Sequence, residues 1–449
     1  MSALLPAARR IVPSLCILLL AGCGDSRPPS HVVESSPPPQ PQAPAQSSPP
    51  EMLPDGALLT VADLLRRVRV QAPTTESAAA LRAAVLAMVR QSGAWANPEL
   101  ELRAGTSRYR SGDEADQRTW GADLRQRFEL PGKRASRIAA ARAGEPVAEH
   151  EAAQGWLELE AEVRAAAVAL SVAQASLARA ESAAELAAAL RQTVEHRTRA
   201  GELAKADLAR ASLDEATATI AVARRRRDVQ GALGAVRSWC GGGLPASFTI
   251  SDALSEAPPE IALAEVLRQA QERHPRLRLL AAQVGQRSAE MQRERDAWQP
   301  DLTLGLSADR GADTDDLGLS LGLDLPLWDR GSGAMAAAEA ERTRASAALR
   351  AERQALERAV LGAWNAYESA RLELAALSTQ ALPVAEDAVR LRQAAYAAGE
   401  DSLADLLESK RAAQDVADAI LAARRAAAEA GIALGRAVGS FTTSQESQP

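Results

Sequence analysis

The chain has 449 residues and a formal net charge of −6, with 47% hydrophobic but only 3% aromatic side chains. The acidic balance argues against nucleic acid as a partner. Apolar surface made mostly of Ala, Leu and Val suits thin seams between long helices better than one thick globular core.

At the N-terminus, Arg9-Arg10 precedes the apolar stretch Leu15-Cys16-Ile17-Leu18-Leu19-Leu20, which is too short to span a bilayer as a permanent helix and fits a secretory signal peptide over residues 1–22. Leu20-Ala21-Gly22-Cys23 looks like a bacterial lipobox, with Cys23 as the lipidated first residue of the mature protein and Gly24 after it. Loss of Arg9 and Arg10 with the signal leaves 50 basic against 58 acidic residues, a net charge of −8. Residues 23–57, rich in Pro, Ser and Gln, read as a lipidated tether with too little apolar surface to fold. Cys240 is then the one remaining thiol, so no intrachain disulfide is available.

Two copies of one pattern follow, over residues 58–250 and 251–441, before a short disordered tail at 442–449. In the first, a helix begins after Thr60, a natural N-cap with Asp63 at the capping-box position. A second helical stretch leads to Trp95-Ala96-Asn97-Pro98, the run Glu99-Leu100-Glu101-Leu102, a polar loop, a return strand at 120–130 and the breaker Pro131-Gly132-Lys133-Arg134. Residues 133–199 then read as helix, which would reach about 100 Å if continuous, with Gly144-Glu145-Pro146 placed to bend it. A turn at Gly201-Glu202 and a returning helix ending near Arg237 close the copy. The connector from Cys240-Gly241-Gly242-Gly243 to Pro258-Pro259 separates the halves.

The second copy has a helix from near Ile261, then Trp298-Gln299-Pro300, a strand at 301–306, a return strand at 317–325, and the breaker Pro326-Leu327-Trp328-Asp329-Arg330-Gly331. Pro383 interrupts its long helix. Ala200-Gly201-Glu202 with Asp207-Leu208 recurs as Ala398-Gly399-Glu400 with Asp405-Leu406, each 198 positions on. That is tandem duplication.

The strands alternate with period two. In 317–325 every odd position is Leu and the even ones are Gly, Ser, Gly and Asp. Such a pattern puts one side in an apolar medium and the other in water, and a soluble hairpin lying on a helical core alternates in the same way. If the medium is a bilayer, four strands cannot close a barrel and an open edge leaves backbone groups unpaired, so several copies must share one barrel. Alternation assigns Glu99, Glu101, Arg103, Asp123, Arg125, Arg127, Glu129 and Asp324 to its lumen. Trp95, Trp120, Trp298 and Trp328 stand at strand starts and ends, where a membrane-interface girdle would place them.

Chemistry of other kinds is missing. His31, His150, His196 and His274 have no ligand spacing, Cys240 is alone, and the five methionines do not cluster, so no metal site and no cofactor are expected. Gly132-Lys133 is not a phosphate loop, since Arg127 stands at the first glycine and no Ser or Thr follows the lysine. Nothing suggests a catalytic triad, and an enzyme is not expected.

With these features the chain, from Thr60 to Phe441, resembles the TolC family of outer-membrane efflux ducts. Glu129-Leu130-Pro131-Gly132-Lys133-Arg134 and Leu325-Pro326-Leu327-Trp328-Asp329-Arg330-Gly331 resemble most the CzcC/CusC-type outer-membrane lipoproteins of heavy-metal RND efflux systems. The resemblance implies a mainly α fold with a membrane β-barrel portion. Long helical hairpins form a periplasmic tunnel, and four strands per protomer contribute to a 12-stranded barrel in a homotrimer. It also implies a passive exit channel docked through a periplasmic adaptor to an inner-membrane RND pump. In such ducts acidic rings close the periplasmic mouth, and alignment on Gly399 carries those positions to Asp405 and Glu408, with Asp207 matching the first hairpin's acid. Stacked carboxylates would attract cations and raise one another's pKa; without the alignment they read as solvated residues of a helix face. The family's arginine partner at the closed mouth falls on Asp401. The same duct could serve drug export or type I secretion. A lipid-anchored adaptor or coiled-coil scaffold would instead need a compact β-rich segment between its helices, where only two short turns stand.

Overall fold

The computed structural model describes residues 54–107, 117–240, 244–254, 258–311 and 314–441. The expected signal peptide, Cys23, nearly all of the expected tether, and the tail at 442–449 lie outside the described residues.

Strand β1 (Ala57–Leu59) leads into α1 (Val61–Gln71) and α2 (Pro73–Gly93), then the hairpin β2 (Glu99–Ser107) and β3 (Gln117–Phe128). Helices α3 (Pro131–Arg142), α4 (Gly144–Arg199) and α5 (Lys205–Trp239) follow, then β4 (Phe248–Ile250). The second copy repeats the order with α6 (Leu263–Arg273), α7 (Pro275–Ala297), β5 (Leu302–Arg310), β6 (Asp315–Leu323), α8 (Ser332–Ala376), α9 (Leu382–Ala398) and α10 (Leu403–Val438).

The start of α1 is the expected capping box: Asp63 N–H donates to Thr60 Oγ1 at 3.1 Å, and Thr60 N–H donates back to Asp63 Oδ2 at 3.1 Å. The long helix of the first copy breaks at Ala143. Pro146, two residues into α4, has no N–H for the carbonyl of Arg142, so the ladder stops just before it. Helix α4 alone has 56 residues, about 84 Å at the standard rise. In the second copy the proline is accommodated differently. Leu377–Ala381 forms a π-helical turn between α8 and α9, in which Leu382 N–H reaches back five residues to Leu377 O. The wider turn spares the carbonyl four residues before Pro383 a clash with its ring.

The parallel pair β1 and β4 was not legible in the sequence, where Ala57 read as tether and 248–250 as the join between repeats. Ala57 pairs with Phe248 and Leu59 with Ile250. The pair seals a core of Leu64, Val68, Val163, Leu170, Leu233 and Phe248. Val266, Leu277, Val360, Tyr367 and Leu434 form the second copy's counterpart. Cys240 belongs to the first core, 1% exposed, and burial pushes its thiol up to about 11. It is a protonated packing residue, not a nucleophile.

His274 joins α6, α7 and α10. It is 8% exposed; its Nδ1 accepts from Arg276 N–H at 3.1 Å, and its Nε2 lies 3.3 Å from the carbonyl oxygen of Arg436. Nε2 therefore carries the proton, and a second proton on Nδ1 would break the cap of α7. Burial holds the imidazole below its ordinary value against the opposing pull of Arg436 O, Glu352 and Glu158, with Arg276 adding to the depression. A depressed folded value means the unfolded chain takes the proton first. His274 then contributes its full stability above about pH 6.5 and loses it as pH falls through the folded pKa. His274→Asn, which keeps a capping oxygen, is expected to shrink the drop in urea midpoint between pH 7.5 and pH 5; an unchanged drop would refute this.

Candidate functional site

The four long strands form one antiparallel sheet in the order β2-β3-β5-β6, the two hairpins meeting through β3 and β5. All four helix junctions lie at one end of it, and the two loops at the other. Cross-strand register sorts the side chains cleanly. One side carries the rows Ala104/Trp120/Arg310/Asp315, Leu102/Ala122/Ala308/Leu317, Leu100/Leu124/Leu306/Leu319, Gln126/Leu304/Leu321 and Phe128/Leu302/Leu323. Leu319 is 84% exposed and Leu317 79%, so no described helix covers that side.

The other side carries Glu99, Glu101, Arg103, Asp123, Arg125 and Arg127, as alternation predicts, together with Thr303, Ser307, Asp309, Asp316 and Ser320. The charges interlock. Arg103 pairs with Asp123 and reaches Glu101 at 3.8 Å and Asp309 at 3.7 Å, while Arg125 reaches Glu101 at 3.3 Å and Asp123 at 4.0 Å. Small residues make the room, for Asp309 overlies Gly121 and Ser307 overlies Gly318. Asp309 and Asp316 were missed because the sequence pattern ended the third strand at Leu306 and began the fourth at Leu317; continuing the alternation would have found them.

Two of the residues that alternation assigns to the lumen lie just beyond the regular strands. Glu129 lies one residue past β3 and pairs with Arg137 of α3 at 2.6 Å. Asp324 lies one residue past β6; its N–H donates to Asp301 O at 3.3 Å. Prolines at 131 and 326 end the regular strand two residues on, and the partner strand β5 itself starts only at Leu302. Both carboxylates belong to the junction between sheet and helices.

Asp301 dominates that junction. It is 2% exposed, accepts from Arg127 Nε at 2.7 Å and from Lys133 Nζ at 2.8 Å, and so ties β3, α3 and the start of β5 together.

Of the four tryptophans, Trp120 stands on the leucine side at the loop end. Trp95 is at the helix end, edge-on to Phe128 with ring centroids 6.2 Å apart and with the Arg134 guanidinium over its ring at 4.8 Å. Trp298 caps α7, and Trp328, 93% exposed, follows β6 at the same end.

The helical tips form the second candidate region. Gly201 and Gly399 adopt φ of 79° and 80°, the left-handed turn that lets each hairpin reverse. Leu403 and Leu407 pack with Val194 and Ala211, joining the two tips. Asp207 and Asp405 occupy the same place in their repeats, the third residue of the returning helix. Asp207 accepts from Ala204 N–H at 3.3 Å; Asp405 accepts from Ser402 N–H at 3.3 Å, and Ser402 Oγ accepts from Asp405 N–H at 3.3 Å. The Ser402 hydroxyl and amide hold the Asp405 carboxyl below its ordinary value. Within one chain the cap stabilises the charged form. Arg392 donates to Asp401 at 3.0 Å and is held more basic first by Asp401, then by the fields of Asp405 and the exposed Glu408. Position 401 thus carries an acid with its own intrachain arginine.

Ala204 offers no oxygen where Ser402 does. Ser402→Ala should cost about 1 kcal/mol of local stability, about fivefold faster amide exchange in the first turn of α10. Ala204→Ser should slow the first turn of α5 by a similar factor; equal rates in both pairs would contradict the capping assignment.

Among the described residues no group of three or more His, Cys, Asp and Glu can hold a metal ion.

Residues 64–242 and 266–440 match the family of outer membrane efflux proteins, one stretch in each repeat. The cobalt-zinc-cadmium resistance protein CzcC of Cupriavidus metallidurans is 27% identical over 317 residues, which cover 70% of this chain and 74% of the relative. A solved structure of CusC superposes with a TM-score of 0.71 at 19% identity, covering 85% of this chain and 92% of that one. The outer-membrane channel OprN gives 0.69 at 19% identity over 85% and 90%. The open state of the MtrE outer membrane channel of Neisseria gonorrhoeae gives 0.66 at 20% identity over 85% and 89%.

Proposed function

Since the chain belongs to the outer membrane efflux protein family, we propose that it is the passive exit channel of a tripartite RND-type efflux system, conducting heavy-metal cations across the outer membrane. One observation carries the reading. A four-stranded sheet with one leucine-rich side, exposed along Leu317, Leu319 and Leu321, and two unpaired edge strands is joined at a single end to long helical hairpins. In water that side is an aggregation hazard; in a bilayer the leucines are solvated and the edges must pair with other copies.

Three copies then share one barrel, with Glu99, Glu101, Arg103, Asp123, Arg125 and Arg127 lining a polar lumen, and Trp95, Trp120, Trp298 and Trp328 marking its two rims. The helices form a periplasmic tunnel that meets an adaptor and an inner-membrane pump, which supplies the energy. Asp207, Asp405 and Glu408 give its mouth a negative constriction, with Arg392 as the local counter-charge. Cys23 carries the lipid. The metal-cation cargo rests on the likeness to CzcC, a cobalt-zinc-cadmium resistance protein.

Separated membranes, heat-modifiability and native size test the channel. An outer-membrane trimer that unfolds only on boiling is expected; a soluble or inner-membrane monomer would sink the reading. Sensitivity of a deletion strain to cobalt, zinc and cadmium salts, against a panel of drugs, tests the cargo. The intact mass of the mature N-terminal peptide tests lipidation at Cys23.

A further inference from the structure

The loop-end rim of the leucine side carries a cluster that conduction does not use. Arg118 and Trp120 are two residues apart on β3 and so share a side of the sheet; Arg310 of β5 is the cross-strand partner of Trp120. All three stand on the leucine side at the end remote from every helix junction. Rows of Ala and Leu begin immediately below them, so the cations sit at the edge of the apolar belt and not within it.

Asp315, on the same side, pairs with Arg310 at 2.6 Å, while Arg118 makes no ion pair with any described residue. Among the described residues this rim sets two arginines, Arg118 and Arg310, against one carboxylate, Asp315. The Arg310–Asp315 pair is exposed on both partners, 57% and 66%, and such pairs hold weakly enough to yield to a more highly charged anion. Guanidinium forks match phosphate oxygens, an indole settles at headgroup level, and the leucines below match acyl chains. Basic clusters at this depth recognise anionic headgroups in other membrane proteins.

Resting on the channel reading, we infer that Arg118, Trp120 and Arg310 form a docking site for the phosphate-bearing headgroup of an outer-leaflet lipid, one site per copy around the barrel.

The test is native mass spectrometry of the purified full-length oligomer in detergent, with diphosphoryl lipid A as the probe and its dephosphorylated form as comparison. Wild type is expected to retain the diphosphorylated lipid and release the other. Arg118→Gln with Arg310→Gln should weaken retention about a hundredfold, about tenfold for each charge-assisted hydrogen bond removed. The Arg118→Lys, Arg310→Lys variant should keep most of it, and Arg125→Gln, a charge removed from the opposite side, all of it. Inorganic phosphate at equal concentration should not displace the lipid.

Unchanged retention in a heat-modifiable glutamine double variant would overturn the site. So would equal retention of the dephosphorylated lipid, or displacement by inorganic phosphate. If the double variant does not assemble, Arg118→Gln alone carries the same comparison. A wild-type protein that is not an outer-membrane oligomer shows itself before any lipid is added, and then the channel reading fails rather than the lipid site.

Discussion

Leu319→Arg should remove the protein from the outer membrane, while Ser307→Arg leaves assembled channel. Leu319 belongs to the middle row of the apolar side, beside Leu306, Leu124 and Leu100. An arginine on the lipid face at mid-depth of a barrel costs about 2–4 kcal/mol, and threefold repetition in a trimer makes that about 6–12 kcal/mol, comparable to the whole stability of a typical domain. Ser307 stands on the opposite side, across from Asp123 and overlying Gly318. A cation there gains nearby carboxylates and a water-filled lumen. The measurement is the fraction of each variant recovered as heat-modifiable oligomer in outer-membrane fractions. If Leu319→Arg assembles as well as Ser307→Arg, the leucine side does not face lipid. If both fail, the sheet tolerates no added charge and its polar side is not a lumen.

The two-sidedness was legible in the sequence because period-two alternation is a local signal that needs no partner. Its limits were less so. The fourth strand read as 317–325 but runs from Asp315 to Leu323. At its start the signal is carried by the Arg310–Asp315 pair and the Gly311 N–H to Thr314 O bond at 2.8 Å, polar contacts that carry no leucine rhythm. At its end, Leu325 keeps the leucine rhythm although no regular strand remains opposite it. Helix starts with a side-chain cap, such as Thr60 and Asp63, were readable for the same local reason. Breaks at Pro146 and Pro383 were foreseeable as interruptions, but not that one would become a one-residue break and the other a π-turn, since that depends on what each helix packs against. The three-residue strands β1 and β4 carry no alternation and lie 191 positions apart, so only the folded chain reveals them.

The buried charge cluster was the least legible feature, because its members come from three segments with no shared period, and its removal has the largest effect expected outside the leucine belt. Asp301→Asn should lower stability by about 2–3 kcal/mol, at or just below the lower end of the about 3–5 kcal/mol for breaking a fully buried ion pair from one side. Lys133 is the third residue of α3, whose first turn contains no acid, and the helix dipole disfavours a cation there. Asp301 supplies the missing negative charge, and Lys133 is only 22% exposed when it does so. Arg127, 56% exposed, can turn to water, which keeps the cost below that of a fully enclosed triad. Lys133→Met removes the cation that most needs Asp301. The double variant Asp301→Asn, Lys133→Met should therefore be more stable than the sum of the single losses predicts. The urea midpoint of the assembled channel measures all four proteins. A single-variant loss under about 0.5 kcal/mol, or strict additivity in the cycle, would show that the three charges are solvated neighbours and not the clasp that fixes the sheet to the helices.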